Sequence, residues 1–282
     1  KPFSCIKPGN EQEGHKMYDK VEGRAGIMGV EQTEDWLREA GDRPASVIHE
    51  LLKYFPSNSL EEVTAYLHQC GLNLNPLHAG KLLDALSDEQ IWITIERFFR
   101  KYQSDWNGID IPIFILPHRK PVYHHGNKPK AGIAYPDKLI LFFPPGLSMT
   151  EKEALFVHEY HHVCRINKQY KKMIDYTLLD TIMLEGTAEK TIEHLLGKEY
   201  LAPWVKMYNE QMLKRYWKKH FKNKLATHNK EDLHNQLLFG KGRHPRMIGY
   251  CIGYRLAEKY YSTNAYSVEE SLQLPADPFA EA

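Results

Sequence analysis

The five consecutive residues His158 to His162, HEYHH, constrain this chain more than any other stretch. On a helix, His158 and His162 lie four apart and project from one face. Two imidazoles so placed can share one Zn²⁺ at about 2.0–2.1 Å each, and Glu159 beside them can serve as general base toward an activated water. The motif therefore asks for a helix here and for a second element that brings a third ligand. His161 falls off that face and reads as a polar supporting side chain rather than a ligand. With fifteen histidines in 282 residues, the spacing alone does not decide the matter.

A second helical stretch supplies the missing group. In LLDTIMLEGTAEKTIEHLLG, Glu185 and Glu189 are four apart and share a face otherwise lined by Leu179, Ile182 and Ile192. Carboxylates on an apolar face are costly without partners. A metal, and a histidine in need of orienting, are suitable partners. Gly186 permits another helix to come close, and the HExxH helix is the expected neighbour.

Taken with GYCIGYRLAEKY further on, these segments resemble the glutamate zincins and, more narrowly, the DUF2268 family of predicted zinc-dependent proteases. The similarity covers Asp105 to Tyr261, and the paired HExxH and EGxAE segments are its specific part. The resemblance implies a zincin-like catalytic domain holding one Zn²⁺ per chain. It implies His158, His162 and Glu185 as ligands, Glu159 as the base, and Glu189 as acceptor of the free N–H of a ligating histidine. Leu184 stands where better-known relatives carry asparagine, so Glu185 and Glu189 both stay open as third ligand, with Glu185 preferred. Three protein ligands leave the fourth position free, as in catalytic rather than structural zinc. Hydrolysis of a peptide bond by zinc-activated water is the expected reaction, with a peptide or protein as substrate. The competing expectation is a non-catalytic zinc protein, structural or regulatory, with the same ligands.

An oxyanion formed in such a reaction calls for a further donor. HPRMIGYCIGYRLAE offers Arg243, His244, Tyr250 and Tyr254. Tyr250 is the choice, set against plain packing, which is the commoner role of tyrosine in a chain with 17 of them. The spacing of Gly249 and Gly253 on the same helix indicates tight packing along one face. His124 and His125 could form an auxiliary metal site, although a solvated loop is the plainer reading. KRYWKKHFKNK mixes basic and aromatic residues as nucleic-acid surfaces do, but helical spacing of its aromatics favours an amphipathic helix with a solvated basic face.

Composition bounds the partners. Formal net charge is +1, which gives no electrostatic reason to expect nucleic acid or an anionic membrane. No apolar run approaches the roughly 18 residues of a spanning helix, and no signal peptide is visible. The four cysteines are scattered singly, as reduced thiols in a cytoplasm are, and a processed secreted form stays open. The oligomeric state is left open.

Periodicity suggests an α+β, helix-dominated chain in three parts: a flexible tail over 1–27 ahead of a natural start at Met28, a helical part over 28–105, and the peptidase domain over 106–282. Thr33 reads as an N-cap, Ser59 with Glu62 and Ser148 with Glu151 read as capping boxes, and SDEQIWITIERFFRKY reads as one helix. IDIPIFILP and KLILFFPPG read as strands, and AGIAYPD as a strand end and turn. WVKMYNEQMLKRYWKKHF reads as a single helix. LILFF ends shortly before the motif helix, and it is either the edge strand on which an extended substrate would pair or a buried structural strand.

Overall fold

A computed structural model describes residues 29–41, 45–72, 76–118 and 131–281. The tail over 1–27, Met28 and the His124–His125 loop lie outside the described residues. Two compact units divide the chain between Phe156 and Val157. The change from helices to strands near residue 105 lies inside the first unit.

That first unit sets helices against a four-stranded sheet. Its helices are α1 (Thr33–Ala40), α2 (Ala45–Leu52), α3 (Leu60–Cys70), α4 (Pro76–Asp88) and α5 (Ile91–Asp105). Its strands are β1 (Gly29–Val30), β2 (Pro112–Pro117), β3 (Ala131–Ala134) and β4 (Leu139–Phe143), in the order β1-β2-β4-β3. The β1–β2 and β2–β4 pairs are parallel, and β3 runs antiparallel to β4. AGIA is thus a full strand rather than a strand end, and the mixed sheet suits an α+β chain dominated by helix. Every residue of β2 and β4 is buried, which explains why both read as unbroken apolar runs. β4 lies between β2 and β3 with both edges paired, so LILFF is a buried structural strand and offers no free edge to a substrate.

Local signals hold where the bonds are local. Ser59 and Glu62 form a reciprocal capping box, as do Ser148 and Glu151. Thr33 departs from expectation. Gln32 is the cap residue, and the Thr33 hydroxyl donates instead to the Ile115 carbonyl of β2 at 2.7 Å while accepting from the Trp92 indole at 2.8 Å. SDEQIWITIERFFRKY is two elements, because Gln90 adopts the left-handed conformation (φ 50°) and breaks α4 from α5.

Helix α6 (Met149–Lys168) carries the motif and runs from one unit into the next. The second unit is helical among its described residues: α7 (Leu178–Leu196), α8 (Glu210–Tyr216), α9 (Asp232–Phe239), α10 (Ile248–Tyr260), α11 (Val268–Gln273) and α12 (Asp277–Glu281). WVKMYNEQMLKRYWKKHF is not one helix. A 3₁₀ turn over Pro203–Lys206 precedes α8, and α8 widens into a π-turn over Trp217–Phe221. The Arg165 guanidinium of α6 is buried and donates to the carbonyls of Ser271 and Leu274, which ties the C-terminal segment to the motif helix. Among the described residues no helix is long and apolar enough to cross a membrane, and Cys70, Cys164 and Cys251 are buried and form no disulfide there.

Candidate metal centre

Two helices build the site, and the chain itself dictates how each begins. α6 starts from the Ser148–Glu151 box and reaches His158 and His162 in its third and fourth turns. α7 starts from a second box, in which the Thr177 hydroxyl accepts from the Asp180 amide while the Asp180 carboxylate accepts from the Thr177 amide at 2.7 Å. Two turns on, it presents Glu185 and Glu189. A single cluster of three ligating side chains emerges among the described residues: His158, His162 and Glu185, with one donor atom from each lying within 4.8 Å of the others.

The distances match a metal. For ligand bonds of about 2.0–2.1 Å at tetrahedral angles, donor atoms sit roughly 3.3 Å apart. His158 Nε2 is 3.2 Å and His162 Nε2 3.5 Å from the same oxygen, Glu185 Oε2. The two imidazoles stand edge to face, with centroids 4.5 Å apart and planes at 77°. Glu185 is fully buried, and its other oxygen, Oε1, has no hydrogen-bond partner among the described residues. A buried carboxylate beside two imidazole nitrogens, with an oxygen still unsatisfied, is what a cation would complete.

Glu189 sits behind that cluster. Its Oε1 is 2.9 Å from His158 Nδ1, and its Oε2 accepts from the Ala202 amide at 2.8 Å. Glu189 therefore holds His158 with Nε2 turned toward Glu185. The Ala202 anchor was not legible in the sequence, since a backbone amide thirteen residues away carries no side-chain signal.

Electrostatics follow from burial and from these contacts. Burial works against an imidazolium at His158, yet bonding to Glu185 and Glu189, with the charges of Glu189 and Glu159, raises its pKa well above the usual histidine value. Burial lowers that of His162 despite the pull of Glu185. Burial would raise Glu185, but the charge of His162 and bonds to both histidines hold it down at about 2. The carboxylate is thus ionised across the working range. Glu159 is fully buried next to His158 and near enough for its charge to act on that ring. His161 is buried as well, its pKa pushed well below normal by burial and by His162, Arg165 and His158, and it lies outside the three-residue cluster.

Two other sequence candidates sit on α10 with contacts of their own. Tyr250 is buried with its ring 5.2 Å from Trp204 and 6.0 Å from Phe239. Tyr254 is bonded to Glu193 at 3.0 Å. Gly186 does permit a close approach, but to α10. A Cβ there would stand 2.2 Å from the Gly253 carbonyl oxygen, so α10 is the helix that exploits the glycine.

Comparison with known proteins gives the family. Residues 91–281 match the family described as "Predicted Zn-dependent protease (DUF2268)". The chain belongs to the DUF2268 family. It is also 34% identical over 265 residues to "Uncharacterized protein YjaZ" of Bacillus subtilis (strain 168), a match spanning 90% of this chain and 99% of that protein. No solved structure matches. The matched DUF2268 segment contains all of α6 and α7, hence every residue of the cluster.

Proposed function

We propose that the chain is a zinc-dependent peptidase with a zincin-like site, in which His158, His162 and Glu185 hold the ion and Glu159 is the general base. The observation that carries the reading is the approach of both Nε2 atoms to one Glu185 oxygen at 3.2 and 3.5 Å, the spacing of a tetrahedral site. Zinc, when bound, supplies a Lewis acid for a carbonyl and acidifies water. A Glu159 carboxylate oxygen takes the proton of the attacking water and passes it to the departing amine nitrogen. Glu189 accepts the Nδ1–H of His158 and so keeps the Nε2 lone pair on the ligand side. With three protein ligands, the set has the open form of a catalytic site rather than the closed form of a structural one. Tyr250 is the candidate donor to the oxyanion, its ring set against Trp204 and Phe239, and a Tyr250→Phe variant with unchanged turnover would leave it a packing role alone.

Glu159→Gln is the deciding experiment. It keeps the shape of the side chain and the ligand set but removes the base. Cleavage of a diverse peptide library by the zinc-loaded chain should fall by about a hundredfold or more, with zinc content unchanged. Full activity in that variant would sink the mechanism. A zinc-replete wild type that cleaves no library member would support a non-catalytic zinc protein instead.

A further inference from the structure

A second cluster of chemistry-bearing side chains surrounds a cavity of about 330 Å³ in the α8–α10 region. One wall comes from the π-turn and the residues after it: Lys219, His220, Asn223 and Lys224. A second is apolar, Leu233 and Leu237 of α9, and the loop between α9 and α10 closes the third with Arg243 and His244. No carboxylate among the described residues lines it. Among the described residues, Lys219, Lys224 and Arg243 make no ion pair, in contrast to the neighbouring Lys214, which pairs with Glu210. Lys219, Lys224 and Arg243, all solvent-exposed, therefore line one concave space without an ion-pair partner among the described residues.

The loop is held in place before any ligand arrives. Gly240 turns the chain with φ 68°, and a Cβ there would meet the Pro245 backbone. Met247 donates to the Phe239 carbonyl at 2.9 Å and His244 to that of Lys241 at 3.2 Å. His244 is buried, with Nδ1 2.7 Å from the Tyr216 hydroxyl. The Tyr216 ring in turn stacks on His220 at 4.4 Å. With the Tyr216 hydroxyl donating to Nδ1, Nε2 of His244 carries a proton it can donate. The same positive charges add to burial at both imidazoles. His220 is shifted toward the neutral form by burial, Lys219 and Arg243, and His244 by burial, His220 and Arg243. Such a field disfavours a metal cation at the histidine pair and favours an anion.

We propose that this cavity binds a small phosphate-bearing ligand, a phosphate monoester or inorganic phosphate, through Lys219, Lys224, Arg243 and His244. A carboxylate brings a single negative charge to three cations, whereas a phosphate monoester brings nearly two and three acceptor oxygens. Arginine's fork suits two of those oxygens at once. Leu233 and Leu237 provide a surface for the organic part of an ester.

The test uses the full zinc-loaded chain, titrated with inorganic phosphate near 0.15 M salt and followed by calorimetry, so its outcome does not depend on whether the chain cleaves peptides. Lys219→Ala/Lys224→Ala and Arg243→Gln should each weaken phosphate binding about tenfold or more. Lys218→Ala/Lys222→Ala, exposed residues of the same stretch outside the cavity, removes the same charge and should change it by less than about threefold, because solvent screens distant charges. Unchanged melting temperatures establish that the variants fold. Equal losses in the two lysine pairs, acetate binding as tightly as phosphate, or no saturable phosphate binding would each overturn the proposal. So would a single-stranded oligonucleotide that binds through Lys219 and Lys224 without competition from phosphate, since the surface would then serve a nucleic-acid backbone.

Discussion

At Gly186 a hydrogen atom is all that separates two helices. A Cβ would lie 2.2 Å from the Gly253 carbonyl oxygen, and one on Gly253 would lie 1.9 Å from that of Ile182. These obstacles are backbone, which cannot swing aside. Alanine is worth about 1 kcal/mol over glycine in a helix, so a roomy position would gain from the change. Here Gly186→Ala should instead cost about 1–3 kcal/mol or more through overpacking, read by denaturant unfolding. Stability equal to wild type would show that α7 and α10 can separate freely. Gly186 adjoins Glu185, so the variant should also loosen zinc binding. The two carboxylates divide differently. Glu189→Gln should weaken zinc by roughly 10–100-fold, as loss of a group orienting a ligand does, whereas Glu185→Gln should lose it outright. Metal analysis of the two purified variants decides this, and the reverse order would make Glu189 the ligand.

Among the elements, α7 bears most on the site, because both carboxylates and the packing glycine ride on it. Its start is set by the Thr177–Asp180 box, while the Leu178 and Leu179 amides donate to the Thr227 and Leu225 carbonyls. Four orphan amides open every helix, and here side chain and neighbouring backbone satisfy them. Removing the cap hydroxyl with Thr177→Ala should cost about 1 kcal/mol. In a chain of this size that is a fall of about 2–4 °C in melting temperature. Calorimetry checks it, and a variant as stable as wild type would assign the start of α7 to the backbone contacts alone. The boxes at Ser59, Ser148 and Thr177 lie within four residues of sequence and are settled by local bonding. The breaks in WVKMYNEQMLKRYWKKHF are not, because neither the 3₁₀ turn at Pro203–Lys206 nor the π-turn at Trp217–Phe221 was read from the periodicity.

For the whole molecule, an ion held at the cluster would act on stability through mass action. The cluster holds an ionised, fully buried carboxylate whose demand for positive charge zinc would meet. A ligand at a hundredfold above its dissociation constant stabilises by about 2.7 kcal/mol. Chelation should therefore lower the melting temperature of wild type and of Glu159→Gln by several degrees, and readdition of zinc should restore it. His162→Ala, lacking a ligand, should melt low with or without chelator. Scanning fluorimetry across these proteins checks the set. A wild type indifferent to chelator would mean that the cluster is sustained by its own His–Glu contacts.

Spacing of four along a helix is a property of the chain alone, so the shared face of His158 and His162, the shared face of Glu185 and Glu189, and the capping boxes at Ser59 and Ser148 could be read directly, while the Thr177 box, closed by aspartate rather than glutamate, was missed. The runs of β2 and β4 were legible because full burial leaves an unbroken apolar string, whereas the short β1 and β3 carried no such run. What the sequence could not determine was which surfaces meet. Only the tertiary structure turned Gly186 toward α10, enclosed β4 between two strands, set Glu189 between His158 and the Ala202 amide, and gathered Lys219, Lys224 and Arg243 from two separated segments around one cavity. Periodicity is a local constraint imposed by backbone geometry, whereas the pairing of faces depends on how apolar surface is best buried across the whole chain.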